Sequence, residues 1–312
     1  MQAYDHTQYK REPKAFPVKH NLAIELFLLG VLALLWGASY LFVKIAVAEI
    51  PPITLIAVRV GGAAIVLLAL VWIKRESLPT DAPTWGALLV QSFLNSIGAW
   101  TVLAWGQQFV DSGLAAVLNS TAPIFIFFIT LLITRHEALH IGKLIGACLG
   151  VVGVILIVGT EALDGLGQDI MGQAAVLLGA IMYAVAAIYG TRFHHLSATV
   201  VAACTMLWAT VWLVLLSLII DQPWDLRPSS TALMAAGALS ILCTVVALMI
   251  YFRLLKTLGS MGTASQSYLR AGVGIILGIV VLGEVVPPML WVGVTLSLLG
   301  IAAINLMGRK PT

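Results

Sequence analysis

The chain is built from apolar runs of about 20 residues, broken at short intervals by prolines, glycines and charged residues. A bilayer core about 30 Å thick is crossed by a helix of about 20 residues, so each run is long enough to span it. Windows of that length place candidate spans at 24–47, 53–73, 86–107, 113–133, 141–160, 171–194, 200–220, 233–254, 260–283 and 288–307. Pro51-Pro52, Pro79 with Pro83, Asp111-Ser112-Gly113, the acidic stretch Glu161 to Asp169, Asp221 to Pro228 and Pro287-Pro288 separate them. With 60% of its residues hydrophobic and 10% charged, the chain lacks the polar surface of a soluble domain, about 25% of which is charged, and a soluble enzyme is excluded. The runs do not alternate, which disfavours an outer-membrane barrel. The expected fold class is an all-α polytopic membrane protein with ten transmembrane helices, its partners being the lipid bilayer and a small-molecule substrate.

Residues 1–23 are polar, carry Lys10, Arg11, Lys14 and Lys19, and lack a cleavage pattern behind a short apolar core. They read as a tail before an uncleaved first helix. That tail, the loops after the second, fourth, sixth and eighth spans, and the terminal residues 308–312 together hold 13 of the 17 basic residues. The positive-inside rule puts both termini in the cytoplasm and the acidic loop 161–170 outside. Basic residues dispersed among short loops leave no footprint for nucleic acid. Cys148, Cys204 and Cys243 lie in apolar runs with no CxxC spacing and no histidine nearby, as packing residues do, so neither a metal nor a cofactor is expected.

Displacing the chain by 147 residues lays the first five spans on the last five without a gap. Glu137, Gly146 and Gly153 fall on Glu284, Gly293 and Gly300, and Ser120 falls on Ser267. Gly142, Gly146 and Gly150 are steps of four along one helix, and Gly293, Ser297 and Gly300 make a similar small face. Small residues let backbones approach in lipid, where hydrophobic contrast cannot drive helices together. Five is odd, so units 24–160 and 171–307 would have opposite orientations, an inverted repeat with its site near the midplane between the halves.

Two five-helix halves, each ending in Glu-x8-Gly-x6-Gly, with Trp36-Gly37 opening the first, Arg59 in the second span and both termini inside, resemble the EamA-type transporters of the drug/metabolite transporter superfamily. Within it, the size and aromatic-rich interior are similar to aromatic amino-acid exporters of the YddG kind. The second half departs from the pattern, with Tyr183-Ala184 where Trp36-Gly37 would repeat and Met206 where Arg59 would. The resemblance implies a bacterial inner-membrane protein, a monomer or weak homodimer, exporting small metabolites by alternating access. Amino acids with aromatic or other apolar side chains lead as cargo, and cationic drug-like compounds are the alternative.

Polar residues inside a span are costly, so they face a cavity or another helix. Gln91, Asn95, Gly98 and Trp105 share one face of the third span at helical spacing, and Asn119, Pro123 and Thr130 form a stripe on the fourth. Gln266, Ser267 and Arg270 occupy the matching span of the second half, and Trp36, Tyr40, Trp100 and Tyr183 are interior aromatics able to hold a flat substrate. Arg59 and Lys44, towards external span ends, can be neutralised by carbonyl groups or Glu49; Arg59 and Pro123, with Gly146, Gly150, Gly153, Gly293 and Gly300, are expected in packing or gating. Arg270 lies deeper, with no acidic residue in any span interior, which leaves a substrate carboxylate or freed carbonyls as its partner. The lack of a mid-span Asp, Glu or His removes the usual proton relay and favours facilitated transport. It also removes the base an intramembrane hydrolase would need, and no charge ring or carbonyl-rich filter points to a channel.

Overall fold

The computed structural model describes residues 22–131, 141–158, 168–258, 263, 266–285 and 288–306, and all regular structure among them is helical. In chain order the helices are α1 Leu22–Val47, α2 Pro52–Ile73, α3 Ala82–Gly106 and α4 Ser112–Ile129, and α5 Ile141–Val158. The second half holds α6 Gln168–Gly190 and α7 Ala198–Asp221. Helix α8 is Ser230–Ser240, running through Ile241–Val246 into Ala247–Thr257. Helix α9 is Gln266–Leu277 with a last turn Gly278–Leu282, and α10 is Pro288–Leu306. Each falls on one of the expected spans. Seven are long and apolar enough to cross a membrane, while α5, α9 and α10 contribute shorter apolar stretches, Leu144–Gly153, Leu269–Leu282 and Trp291–Gly300. Glu137, the tail up to residue 21, most of the loop 161–170 and the tail 308–312 lie outside the described residues.

The helix starts follow from local chemistry. Pro52 opens α2, where a missing N–H is harmless. Asp81 accepts from the Thr84 N–H at 2.8 Å, Ser197 from Val200 at 3.1 Å and Ser229 from Ala232 at 3.2 Å, each satisfying a donor that the helix leaves unpaired. On the outer surface Ile65, Ile155 and Val280 are exposed, an arrangement that acyl chains tolerate and water does not.

Helix α4 is not continuous. It breaks at Ser120-Thr121 and restarts with Pro123 in its first turn, where the ring costs no hydrogen bond. At the break the Ser120 hydroxyl donates to Ala116 O at 2.7 Å and the Thr121 hydroxyl to Leu118 O, adding to the backbone bonds those carbonyls already accept from Ser120 N–H and Thr121 N–H.

The glycines pack α5 against α10, backbone to backbone. A Cβ at Gly153 would lie 2.6 Å from the Gly293 carbonyl oxygen, and one at Gly300 would lie 2.8 Å from the Gly150 Cα and against the Gly146 carbonyl. The contacts are reciprocal. As α5 advances from Gly146 to Gly153, its partners on α10 run back from Gly300 to Gly293, so the helices are antiparallel, and the Ser297 hydroxyl lies 3.5 Å from Gly150 O at the centre.

Polar ties join loops across the two halves. Glu49 accepts from the Ser229 N–H at 2.6 Å and the Ser229 hydroxyl at 2.8 Å, which hold its carboxyl below the usual carboxylate range. A depressed folded-state pKa stabilises above the unfolded value, so this tie is complete at neutral pH and is lost as the pH falls through the folded pKa. Asp221 accepts from both the N–H and the hydroxyl of Thr54, and Glu284 caps the start of α4 through the N–H groups of Ser112 and Gly113, at 2.7 and 3.0 Å. Glu25, in the first turn of α1, is 1% exposed and takes Arg253 at 2.8 Å and the Thr257 hydroxyl at 2.9 Å.

Candidate functional site

A cavity of about 480 Å³ opens between α1, α2, α3, α4, α6, α7, α8 and α9. Trp36, Tyr40, Gln91, Asn95, Trp100, Asn119, Tyr183, Gln266 and Arg270, chosen from the sequence as pathway residues, line it together. The Asn119 amide donates to the Tyr40 hydroxyl at 2.6 Å, and the Gln107 amide to Tyr40 O at 2.9 Å, tying α3 and α4 to α1. The side chain of Ser267 lies outside the description.

Trp105 is a correction. It is 37% exposed, stacks on Phe109 with ring centroids 4.8 Å apart, and borders a smaller hollow beside Pro52 and Asp221. The reason is a π-helical turn, Phe93–Ile97, inside α3. One extra residue in the turn rotates everything downstream by about 100° relative to a straight α-helix. The lining residues of α3 accordingly step from Gln91 and Asn95 to Trp100, Leu103 and Gln107. Gly98, also expected on the lining face, turns towards Met182 of α6. A second π turn, Ile241–Val246, does the same in α8, which presents Cys243 and Thr244 and then Leu248, Tyr251 and Leu255. On α4 the lining residues are Asn119, Ala122, Pro123 and Ile126, and Thr130 lies beyond them.

Arg59 and Pro123, assigned to packing or gating, also stand in the cavity wall. Arg59 is 7% exposed and, among the described residues, meets neither Glu49 nor a carbonyl. Its guanidinium lies 3.9 Å from the centroid of the Trp100 ring, and its Nε donates to the Thr244 hydroxyl at 3.0 Å. Thr244 in turn donates to Leu239 O at 2.8 Å, within the same π turn region. Lys44 follows the carbonyl alternative, donating to Gln107 O at 3.0 Å and Val110 O at 2.7 Å. Replacing Thr244 by valine keeps the shape and removes the acceptor of a buried cation; a loss of about 1–3 kcal/mol is expected, read as a lower unfolding temperature in detergent.

Arg270 behaves differently. It lines the cavity, and its Nε is buried with no hydrogen-bond partner among the described residues. Tyr183 lies within electrostatic reach of both arginines. No Asp, Glu or His is among the described lining residues, and the described residues hold no cluster of metal ligands. Gln107 and Thr244 were missed by the sequence reading, the first because it sits at a span end, the second because a lone threonine in an apolar run carries no signal.

The lining is paired through the chain. Trp36 and Tyr183, Ser39 and Ala186, Tyr40 and Ala187, Arg59 and Met206, Asn119 and Gln266, and Pro123 and Arg270 are each separated by 147 residues, and both members of all six pairs line the cavity.

The profile of the EamA-like transporter family matches residues 23–159 and again 170–306, two copies displaced by the same 147 residues, as 170 − 23 and 306 − 159 give. The uncharacterized inner membrane transporter YedA of Escherichia coli K12 is 28% identical over 280 residues, 89% of each chain. The uncharacterized transporter YoaV of Bacillus subtilis is 27% identical over 62% of this chain and 67% of its own. The S-adenosylmethionine/S-adenosylhomocysteine transporter of Chlamydia trachomatis is 27% identical over 88% of this chain and 87% of its own. A protein crystal structure superposes with a TM-score of 0.63 over 93% of this chain and 100% of that one at 18% identity, a likeness of fold alone. With apolar helices able to cross a membrane and the family profile covering both halves, the chain is a membrane transporter and belongs to the EamA-like transporter family.

Proposed function

We propose that the protein is a secondary transporter of the bacterial inner membrane that exports small metabolites, foremost amino acids with aromatic or other apolar side chains. Its ten crossing helices form two inverted halves, 24–160 and 171–307, with both termini cytoplasmic, and it works by facilitated alternating access as a monomer or weak homodimer. The observation that carries this reading is the cavity lined by six residue pairs 147 apart, since a site shared by equivalent positions lies on the axis relating the halves. The reciprocal contacts of α5 and α10 support it, because residue i meeting j while the equivalent of j meets the equivalent of i is the mark of a two-fold axis. An axis in the membrane plane is in keeping with the antiparallel packing of α5 and α10. The pairs are chemically unequal, so the two halves shape one asymmetric site.

Trp36 and Tyr251, with ring centroids 5.3 Å apart, offer an aromatic wall for an apolar side chain. Reconstituted protein is expected to show saturable flux of an aromatic amino acid, stimulated by counter-substrate and following the substrate gradient. Flux that requires an imposed proton gradient would remove the facilitated mechanism, and non-saturable flux would mark a channel. Trp36→Ala is expected to lower the flux about tenfold at sub-saturating substrate, with folding retained because the ring borders a void.

A further inference from the structure

We infer that the central cavity recognises the carboxylate of its cargo and not the amino group, so that ring-bearing organic carboxylates without an ammonium are also bound and carried. The inference rests on the reading of this cavity as the transport site. It begins from charge: two guanidinium groups, Arg59 and Arg270, line the cavity, and no carboxylate or imidazole stands among the described lining residues to balance them. An incoming cation meets repulsion from both, and an incoming carboxylate neutralises one of them.

The arginines are also arranged for an anion. Stacking on Trp100 and the bond from Nε to Thr244 fix the plane of the Arg59 guanidinium, and these contacts use one face and one N–H. The terminal amino groups remain as a rigid fork, the geometry that matches a carboxylate by two parallel bonds. Arg270 supplies a second set of donors, its buried Nε without a hydrogen-bond partner among the described residues. An aromatic face is the feature that most favours a cationic cargo in such a site. Here the face of Trp100 is already occupied by the protein's own cation.

The unpaired acceptors complete the picture. Gln91 Oε1, Gln107 Oε1 and Asn119 Oδ1 are buried, line the cavity and have no partner among the described residues. They are neutral amide oxygens, which a hydroxyl, an amide N–H or water satisfies as fully as an ammonium. The amino group of an amino acid is therefore tolerated by these oxygens without being required, whereas the carboxylate alone answers the guanidinium pair.

Three probes sharing one ring separate the groups: 3-phenylpropionate, phenylalanine and phenethylamine. In proteoliposomes each competes against labelled phenylalanine in counterflow, and in detergent each is tested for thermal stabilisation of the full chain. The acid and the amino acid are expected to bind within about threefold of each other and the amine at least about tenfold more weakly, the worth of one charge-assisted pair. Arg270→Gln is expected to shrink the gap between acid and amine to under about threefold. Binding of the amine as tight as that of the acid, with counterflow intact, overturns the carboxylate preference and leaves the transport site standing. No counterflow and no stabilisation with any of the three overturns the site reading, and the inference with it.

Discussion

Gly153→Leu protein is expected to unfold in detergent about 6–12 °C below the unchanged chain, and Gly300→Leu to do the same. Both positions face backbone: the Gly293 carbonyl oxygen would stand 2.6 Å from the new Cβ at Gly153, and Gly150 Cα 2.8 Å from that at Gly300. Overpacking costs about 1–3 kcal/mol where side chains can move aside. Backbone cannot, so α5 and α10 must separate, and about 3 kcal/mol or more at about 2–4 °C per kcal/mol gives the stated range. The controls are Gly30→Leu and Gly237→Leu, since nothing lies within 4 Å of a Cβ at either. Their unfolding temperatures are expected to stay within about 2 °C of the parent. Equal effects at all four sites would show that glycine itself, and not the antiparallel contact of α5 and α10, matters to the fold.

That interface was open to sequence reasoning because small residues at steps of three and four, twice over, have few uses in lipid besides close approach. The helices were legible for a related reason: span length is a one-dimensional property set by bilayer thickness, and breaks at Pro51-Pro52 or Asp111-Ser112-Gly113 are local. The lining of α3 was not legible. A straight 3.6-residue projection from Gln91 carries Trp105 into the cavity, whereas the π turn at Phe93–Ile97 brings Trp100, Leu103 and Gln107 there. Nothing in the apolar run Phe93 to Trp105 announces an extra residue in the turn, because every register of that run is hydrophobic enough to pack. The setting of Arg59 was hidden by distance along the chain: its partner Thr244 is 185 residues away, and the threonine is itself held by donating to Leu239 O. The break in α4 was not legible from Pro123: the helix ends three residues earlier, at Ser120, where the Ser120 and Thr121 hydroxyls donate back to Ala116 O and Leu118 O.

Arg270→Gln protein is expected to lose at least about tenfold in transport efficiency while unfolding at an unchanged or higher temperature. The two effects have one cause. A guanidinium in a membrane interior is costly by at least about 2.5 kcal/mol on insertion scales, and the buried Nε of Arg270 recovers none of that through a hydrogen bond to the described residues. Glutamine keeps polar atoms for the hydrated cavity and removes the charge, so the folded state gains while a carboxylate loses one or two charge-assisted bonds, each worth about 1.5–3 kcal/mol. Arg59 provides the contrast. Arg59→Lys preserves the charge and loses both the Trp100 stack and the bond at Nε, so stability and transport are expected to fall together. Initial rates in proteoliposomes, with protein orientation and amount matched, give the transport figure, and thermal unfolding of the same samples gives the stability figure. A folded Arg270→Gln protein with unchanged transport would remove Arg270 from the site. A destabilised one would mean that the arginine serves the fold, and that its missing partner is a structural water and not the cargo.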